Sequence, residues 1–343
     1  MRRFVTVLVL LALMGAFAFG VNRFLASRRT VISATVQAPT KSKPKFALPG
    51  VMIVAQDGQL YRLQDGEFTS LDLPTDGQWM QPAAVPGQHA VVAVERFAAY
   101  SEVFLVSDSG TLLGQLSHNK TGSSTIQYNH WMFWPRVAQD GHTVLVSYDA
   151  PKSIDSYEID FAIWKGDLSS SLVQEQLSDP NGYTGGDTQA QPLPDGSFIY
   201  AKYTINNEAL LSQIALQKGA HDDPALLTST DDDCGQPALS PDGTQLAMIC
   251  IGGTSGQSSR LEVASFNGTA LGTPRVLVQD CLCSSPAWAP DGSGLVYYNT
   301  ADATGHFELW WLAGAATAAP KPTKLVTTSD DFDATSAPAW TAS

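Results

Sequence analysis

The chain has 343 residues, 44% of them hydrophobic and 15% charged, against about 25% charged in an average soluble domain, which excludes a disordered chain and a coiled coil. The net charge of −13 is unevenly placed: eight of the twenty basic residues (Arg2, Arg3, Arg23, Arg28, Arg29, Lys41, Lys43, Lys45) precede residue 50 with no acid among them, so residues 50–343 set 12 bases against all 33 acids, a balance of −21. A body this acidic lacks the phosphate-neutralising patch that nucleic-acid affinity requires, so nucleic acid is excluded as a partner.

Residues 1–3 form a short basic tail. Residues 4–21, FVTVLVLLALMGAFAFGV, are uncharged and long enough to span a bilayer as one helix. The expectation is a transmembrane signal anchor. Cleavage at the small-x-small site Ala16-Phe17-Ala18, followed by secretion, is the alternative, although that site lies inside the apolar run. The first cysteine is Cys234, which excludes a lipid anchor behind the run. Arg23, Arg28 and Arg29 outnumber Arg2 and Arg3, and the charge rule alone would place the body in the cytoplasm. The cysteines and the acidic body argue for an extracytoplasmic body instead. Residues 22–49 are polar and basic without a hydrophobic period and read as a flexible linker.

Residues 50–343 are a repeat. Gln236-Pro-Ala-Leu-Ser-Pro-Asp-Gly243 and Ser285-Pro-Ala-Trp-Ala-Pro-Asp-Gly292 each precede an apolar run, TQLAMI and SGLVYY. Gln189-Ala-Gln-Pro-Leu-Pro-Asp-Gly196, Trp134-Pro-Arg-Val-Ala-Gln-Asp-Gly141 and Gln81-Pro-Ala-Ala-Val-Pro-Gly-Gln88 are earlier copies, and Ala337-Pro-Ala-Trp340 begins a sixth. Pro-Asp-Gly is tight-turn chemistry, with proline fixing φ and glycine accepting a positive φ. Each turn leads into a strand, and further strands follow in each unit, such as Glu102–Val106, Arg260–Ala264 and the short Val276–Val278. Four strands in about 50 residues describe a propeller blade. The expected fold is an all-β six-bladed β-propeller, closed by joining an inner strand at Pro338–Trp340 to N-terminal strands in 51–63 and 69–73.

These motifs resemble the WD40-like PD40 repeats of the TolB-type β-propeller family over nearly all of 50–343. The resemblance implies six blades, a mostly extracytoplasmic location and a role in protein contacts. TolB itself carries an α/β domain ahead of its propeller, and prolyl oligopeptidase relatives carry a hydrolase domain. Residues 1–49 resemble neither, so Tol–Pal function and peptidase activity do not carry over.

Gly252-Gly-Thr-Ser-Gly256 fails the Gly-x-Ser-x-Gly pattern of a nucleophile elbow, and the six histidines show no zinc spacing. No catalytic residue is expected. Cys234, Cys250, Cys281 and Cys283 are disulfide candidates. A bulged hairpin turning at Ser240–Gly243 sets Cys234 opposite Cys250, bridges between neighbouring blades are also open, and Cys281-Leu-Cys283 is a strained spacing. Acids precede the inner strands: Asp76, Asp187, Asp231, Asp232, Asp233, Asp280, Asp330, Asp331 and Asp333. In a propeller these connections share one face at the channel mouth. There they form a solvated acidic face, draw a cationic partner, or hold Ca²⁺ as a metal-dependent hydrolase. No other cofactor is expected. Trp134, Trp288 and Trp340 read as packing between blades. Trp131 and Phe133 read as lying in a longer loop; core packing is the leading reading for them, and an exposed partner contact is the alternative. The functional expectation is a membrane-tethered, non-enzymatic module that binds a protein, peptide or glycan at its acidic face.

Overall fold

The protein is described by a computed structural model for residues 48–74, 76–122, 128–150, 159–252, 258–300, 305–316, 321–325 and 331–341. The apolar run 4–21, most of the linker 22–49, and Asp330 lie outside them. Among the described residues no helix is long and apolar enough to cross a membrane.

The strands follow in chain order as β1 (Val51–Gln56), β2 (Gln59–Gln64), β3 (Glu67–Ser70), β4 (Gln78–Ala84), β5 (Ala90–Arg96), β6 (Ser101–Ser107), β7 (Leu112–Gln115), β8 (Met132–Val137), β9 (Thr143–Tyr148), β10 (Ala162–Asp167), β11 (Glu175–Gln176) and β12 (Thr188–Pro192). Then come β13 (Phe198–Asn206), β14 (Ala209–Gln217), β15 (Ala225–Leu226), β16 (Cys234–Leu239), β17 (Gln245–Cys250), β18 (Ser259–Ser265), β19 (Arg275–Cys281), β20 (Ser284–Trp288), β21 (Gly294–Thr300), β22 (Phe307–Ala313), β23 (Thr323–Lys324) and β24 (Ala339–Thr341). They form six four-stranded antiparallel sheets. The innermost strands touch in the cycle β4, β8, β12, β16, β20, β24 and back to β4. A cycle of that kind closes only when the sheets stand radially around an axis, which makes this a six-bladed propeller.

The Pro-Asp-Gly strings form one kind of turn. Gly196, Gly243 and Gly292 each donate to the carbonyl three residues back and sit at φ of +87°, +72° and +70°, where a side chain would be strained. The aspartate before each glycine accepts the amide two residues on, as Asp195 does from Ser197 at 3.0 Å and Asp291 from Ser293 at 2.9 Å. The next strand is then apolar on both sides because it is wedged between two blades. Val91–Val94 and Leu246–Ile249 are buried throughout.

The last blade is built from both ends of the repeat, in the order β24-β1-β2-β3. Met52 pairs with Trp340 and Ile53 with Ala339. Trp340 packs at 5.8 Å from Trp311 of the preceding blade and its indole donates to the Pro49 carbonyl. Phe332 stacks on Tyr298 at 5.2 Å. The ring thus has no unpaired inner edge. The fourth strand expected at 69–73 ends earlier, at Ser70, because Leu71 and Leu73 turn into the core.

Candidate functional site

Five of the six inner strands carry the same irregularity near their start. The ladder to the second strand slips between Met80 and Ala83, Phe133 and Arg136, Thr188 and Gln191, Gly235 and Ala238, and Ser284 and Ala287. At the slip, Gln81, Trp134, Gln189, Gln236 and Ser285 have φ between +49° and +59°. Left-handed backbone costs a non-glycine residue about 1–2 kcal/mol, so something must offset it five times over. The offset is visible between blades at four of the five. The amide of Gln236 donates to Gln189 Oε1 (3.1 Å), that of Ser285 to Gln236 Oε1 (2.5 Å), that of Trp134 to Gln81 Oε1 (2.7 Å), and that of Gln81 to Ser336 Oγ (2.8 Å). Ser285 Oγ donates onward to the Ala334 carbonyl at 2.7 Å. A bulge that turns its N–H out of its own sheet exchanges a ladder bond for one to the neighbouring blade.

This belt surrounds a cavity of about 20 Å³ on the axis, lined by Gln81, Trp134, Arg136, Gln189, Gln236 and Ser285, with Thr335 and Ala337 from the closing blade. That volume holds one or two water-sized groups. The belt is interrupted where Trp134 stands in place of a glutamine and offers no acceptor. On the same strand, Arg136 makes only a long 3.4 Å contact to the Pro135 carbonyl. Among the described residues it has no carboxylate partner, and burial lowers its pKa to about 10, which leaves it cationic at neutral pH. The motif search passed over this belt because it concentrated on proline and the turn. The signal was the residue just before each repeat proline.

The acids at the same end divide into two groups. Several are consumed by the fold. Asp187 is buried with Lys202 at 3.4 Å, and burial pushes its carboxyl up more than Lys202 pulls it down. Asp233 accepts the Ser212 amide and hydroxyl at 2.7 and 2.9 Å. Asp333 accepts the Thr335 amide and hydroxyl at 2.9 and 2.7 Å, and the Ser336 hydroxyl. Asp232 lies 3.5 Å from Arg260, and Asp331 lies 3.2 Å from His306. Glu102 and Asp160, which the sequence did not single out, cap connections in the same way: Glu102 takes the amides of Asn119 and Lys120, and Asp160 those of Tyr183, Thr184 and Gly185. Asp76, Asp231 and Asp280 stay exposed.

These carboxylates are not gathered on one point. Among the described residues the only group of three potential metal ligands within 4.8 Å is Cys234, Cys250 and Glu262. Its two sulfurs are joined in a disulfide, and Glu262 pairs with Arg260 at 2.5 Å. Cys234 lies opposite Cys250 in the β16–β17 hairpin, past the Gly235–Ala238 slip. Cys281 is bonded to Cys283, a pairing whose spacing argued against it. Phe133 lies in β8 and not in a loop, and Trp131 is buried against it with rings 5.8 Å apart. An arginine, Arg96, covers Trp131 at 5.9 Å. Trp288 packs between blades as expected, its indole donating to the Ala238 carbonyl at 3.0 Å.

No family model matches the chain, and no curated protein matches it by sequence. Solved structures do. TolB from Acinetobacter baumannii superposes with a TM-score of 0.60 at 16% identity, over 85% of this chain and 66% of that one. A TolB-type protein from Agrobacterium tumefaciens gives 0.60 at 13% identity, over 85% and 93%. A gluconolactonase from Xanthomonas campestris gives 0.50 at 12%, over 85% and 90%. The chain therefore spans just under two thirds of the Acinetobacter TolB. The fold is a TolB-like six-bladed β-propeller.

Proposed function

We propose that this protein is an extracytoplasmic, membrane-tethered propeller that binds a protein or peptide partner at the end where the blades are joined. The observation that carries the reading is the division of the acids at that end. The connections are stiffened by buried carboxylates, while Asp76, Asp231 and Asp280 are left exposed. A rim of this kind on a body of −21 raises the association rate of a basic surface. The TolB-like fold supports a role in protein contacts. The two disulfides support an oxidising compartment, and the apolar run 4–21 supplies the tether.

The gluconolactonase likeness keeps an enzyme reading in view as an analogy of fold. The test separates the two. The full chain is tagged and cross-linked in its native membrane, and the captured partner is then titrated against purified protein. Changing Asp76, Asp231 and Asp280 together to Asn slows association and flattens its salt dependence, while Tm stays within about 1 °C because exposed substitutions cost under about 0.5 kcal/mol. An association rate unchanged by the triple variant rejects the acidic rim as the contact.

A further inference from the structure

The axial cavity is surrounded by hydrogen-bond donors whose acceptors are missing. The orientation of each belt glutamine is fixed, because a backbone N–H requires the carbonyl oxygen. Gln81, Gln189 and Gln236 each spend Oε1 on the next blade's amide. Among the described residues their Nε2 groups make no hydrogen bond to the protein. The indole N–H of Trp134 is buried with no partner, and the Arg136 guanidinium has no carboxylate. The two hydroxyls at the cavity have already given up their protons, Ser285 to the Ala334 carbonyl and Thr335 to Asp333. Among the described residues no acidic side chain lines the cavity. Three carboxamides, one indole and one guanidinium therefore converge on a space with no negative counterpart. Of these donors the Trp134 N–H is buried without a partner, a state that is costly unless a ligand fills it; the carboxamides and the guanidinium are open to an acceptor that enters the cavity.

We infer that this cavity is a carboxylate-binding site, with Arg136 as the charge partner and the Nε2 groups of Gln81, Gln189 and Gln236 as the cradle. Volume decides the size of the ligand. About 20 Å³ admits one or two water-sized groups, which fits the two oxygens of a carboxylate entering end-on and is too small for a sugar ring. The planar guanidinium fork suits two oxygens better than a spherical ion. The belt lies near the start of five inner strands, on the side of the exposed acids, so a carboxylate carried by a basic segment satisfies rim and cavity together. The inference deepens the binding reading and can fail separately from it, since the rim variants do not touch the cavity.

The test uses the full chain and three probes: sodium acetate, sodium chloride, and a lysine-rich pentapeptide made with a free carboxyl or an amidated C-terminus. Calorimetry and Tm are followed. The expected result is saturable acetate binding that chloride does not match, and a free-acid peptide that binds at least about tenfold tighter than its amide. A free-acid peptide tighter than acetate assigns the carboxylate to a partner's terminus, and equal affinities assign it to a small free acid; both uphold the site. Arg136→Gln removes binding. Trp134→Phe, which keeps an aromatic ring but loses the pyrrole half of the indole with its N–H, weakens it less and serves if Arg136→Gln does not fold. Acetate that fails to bind, chloride that binds as well, or binding that survives Arg136→Gln would each overturn the inference.

Discussion

The two ends of the propeller are made from the same repeat and treated differently. At the turn end the copies agree closely. Asp140, Asp195, Asp242 and Asp291 all cap the chain two residues on, and Gly196, Gly243 and Gly292 open to empty space, while Gly141 faces the Pro86 carbonyl. At the connection end five inner strands share the slipped ladder, but the connections themselves differ from blade to blade. One connection is capped by Glu102, one by Asp160, one closes with Asp233 on Ser212, and two carry disulfides. Repetition marks what every blade needs in order to fold. Variation marks what only one blade needs: Trp134 and Arg136 interrupt the belt around the cavity in a single blade, and the exposed acids lie at the same end.

That contrast can be sharpened by perturbation. The largest effect belongs to neither end. Trp340→Ala empties the packing that joins the C-terminal strand to β1 within the closing blade and that blade to Trp311 of its neighbour, and should cost about 3–5 kcal/mol in a denaturant titration, loosening both ends together. Next comes Cys234→Ala with Cys250→Ala. A bridge spanning 16 residues is worth about 3 kcal/mol by chain entropy, whereas Cys281 and Cys283, two residues apart, should give a much smaller change. Equal losses from the two pairs would break the account of how the connection end is stapled. Third, Gln236→Ala removes the acceptor for Ser285 and should cost about 1–3 kcal/mol. A neutral result would mean the belt is incidental to the left-handed backbone.

The smallest effect lies at the turn end. Hydrogen bonds, led by the side-chain hydroxyls of Thr143, Ser197, Ser240 and Ser293, hold Asp140, Asp195, Asp242 and Asp291 below the usual carboxylate range. Because the folded pKa is the lower one, their contribution is fully present above the unfolded value of about 3.9 and is lost as pH falls through the folded values. Each site is largely exposed, so the acid loss per turn is slight. Changing all four to Asn should flatten the low-pH limb of a Tm-against-pH curve, and an unaltered limb would contradict the capping role.

The architecture was legible because its signals are local. Proline, aspartate and glycine at fixed offsets set the turns, and the apolar runs behind them set the strands. Counting back along one hairpin set Cys234 opposite Cys250, one of the arrangements the sequence left open and the one the structure shows. The Cys281–Cys283 bridge did not, since its spacing weighed against it. The acids were legible as residues but not as roles. Asp231 and Asp233 are two positions apart, yet one faces solvent and the other binds Ser212, and only tertiary packing makes that distinction. Core packing is the leading sequence reading for Trp131 and Phe133, and Trp131 is buried; only the loop placement of Phe133 fails, because β8 starts at Met132. The belt escaped notice because glutamine before proline has no local meaning. Its function is to reach another blade about 50 residues away.

The central claim is that the connection end is the binding face, and a photo-crosslinking residue placed at either end of the full chain in its native membrane tests it most directly. At Asp76, Asp231 or Asp280 the account predicts adducts with a discrete partner, and at the turn residues Asp140, Asp195 or Asp291 it predicts none. Adducts from the turn end, with none from the connection end, would contradict it.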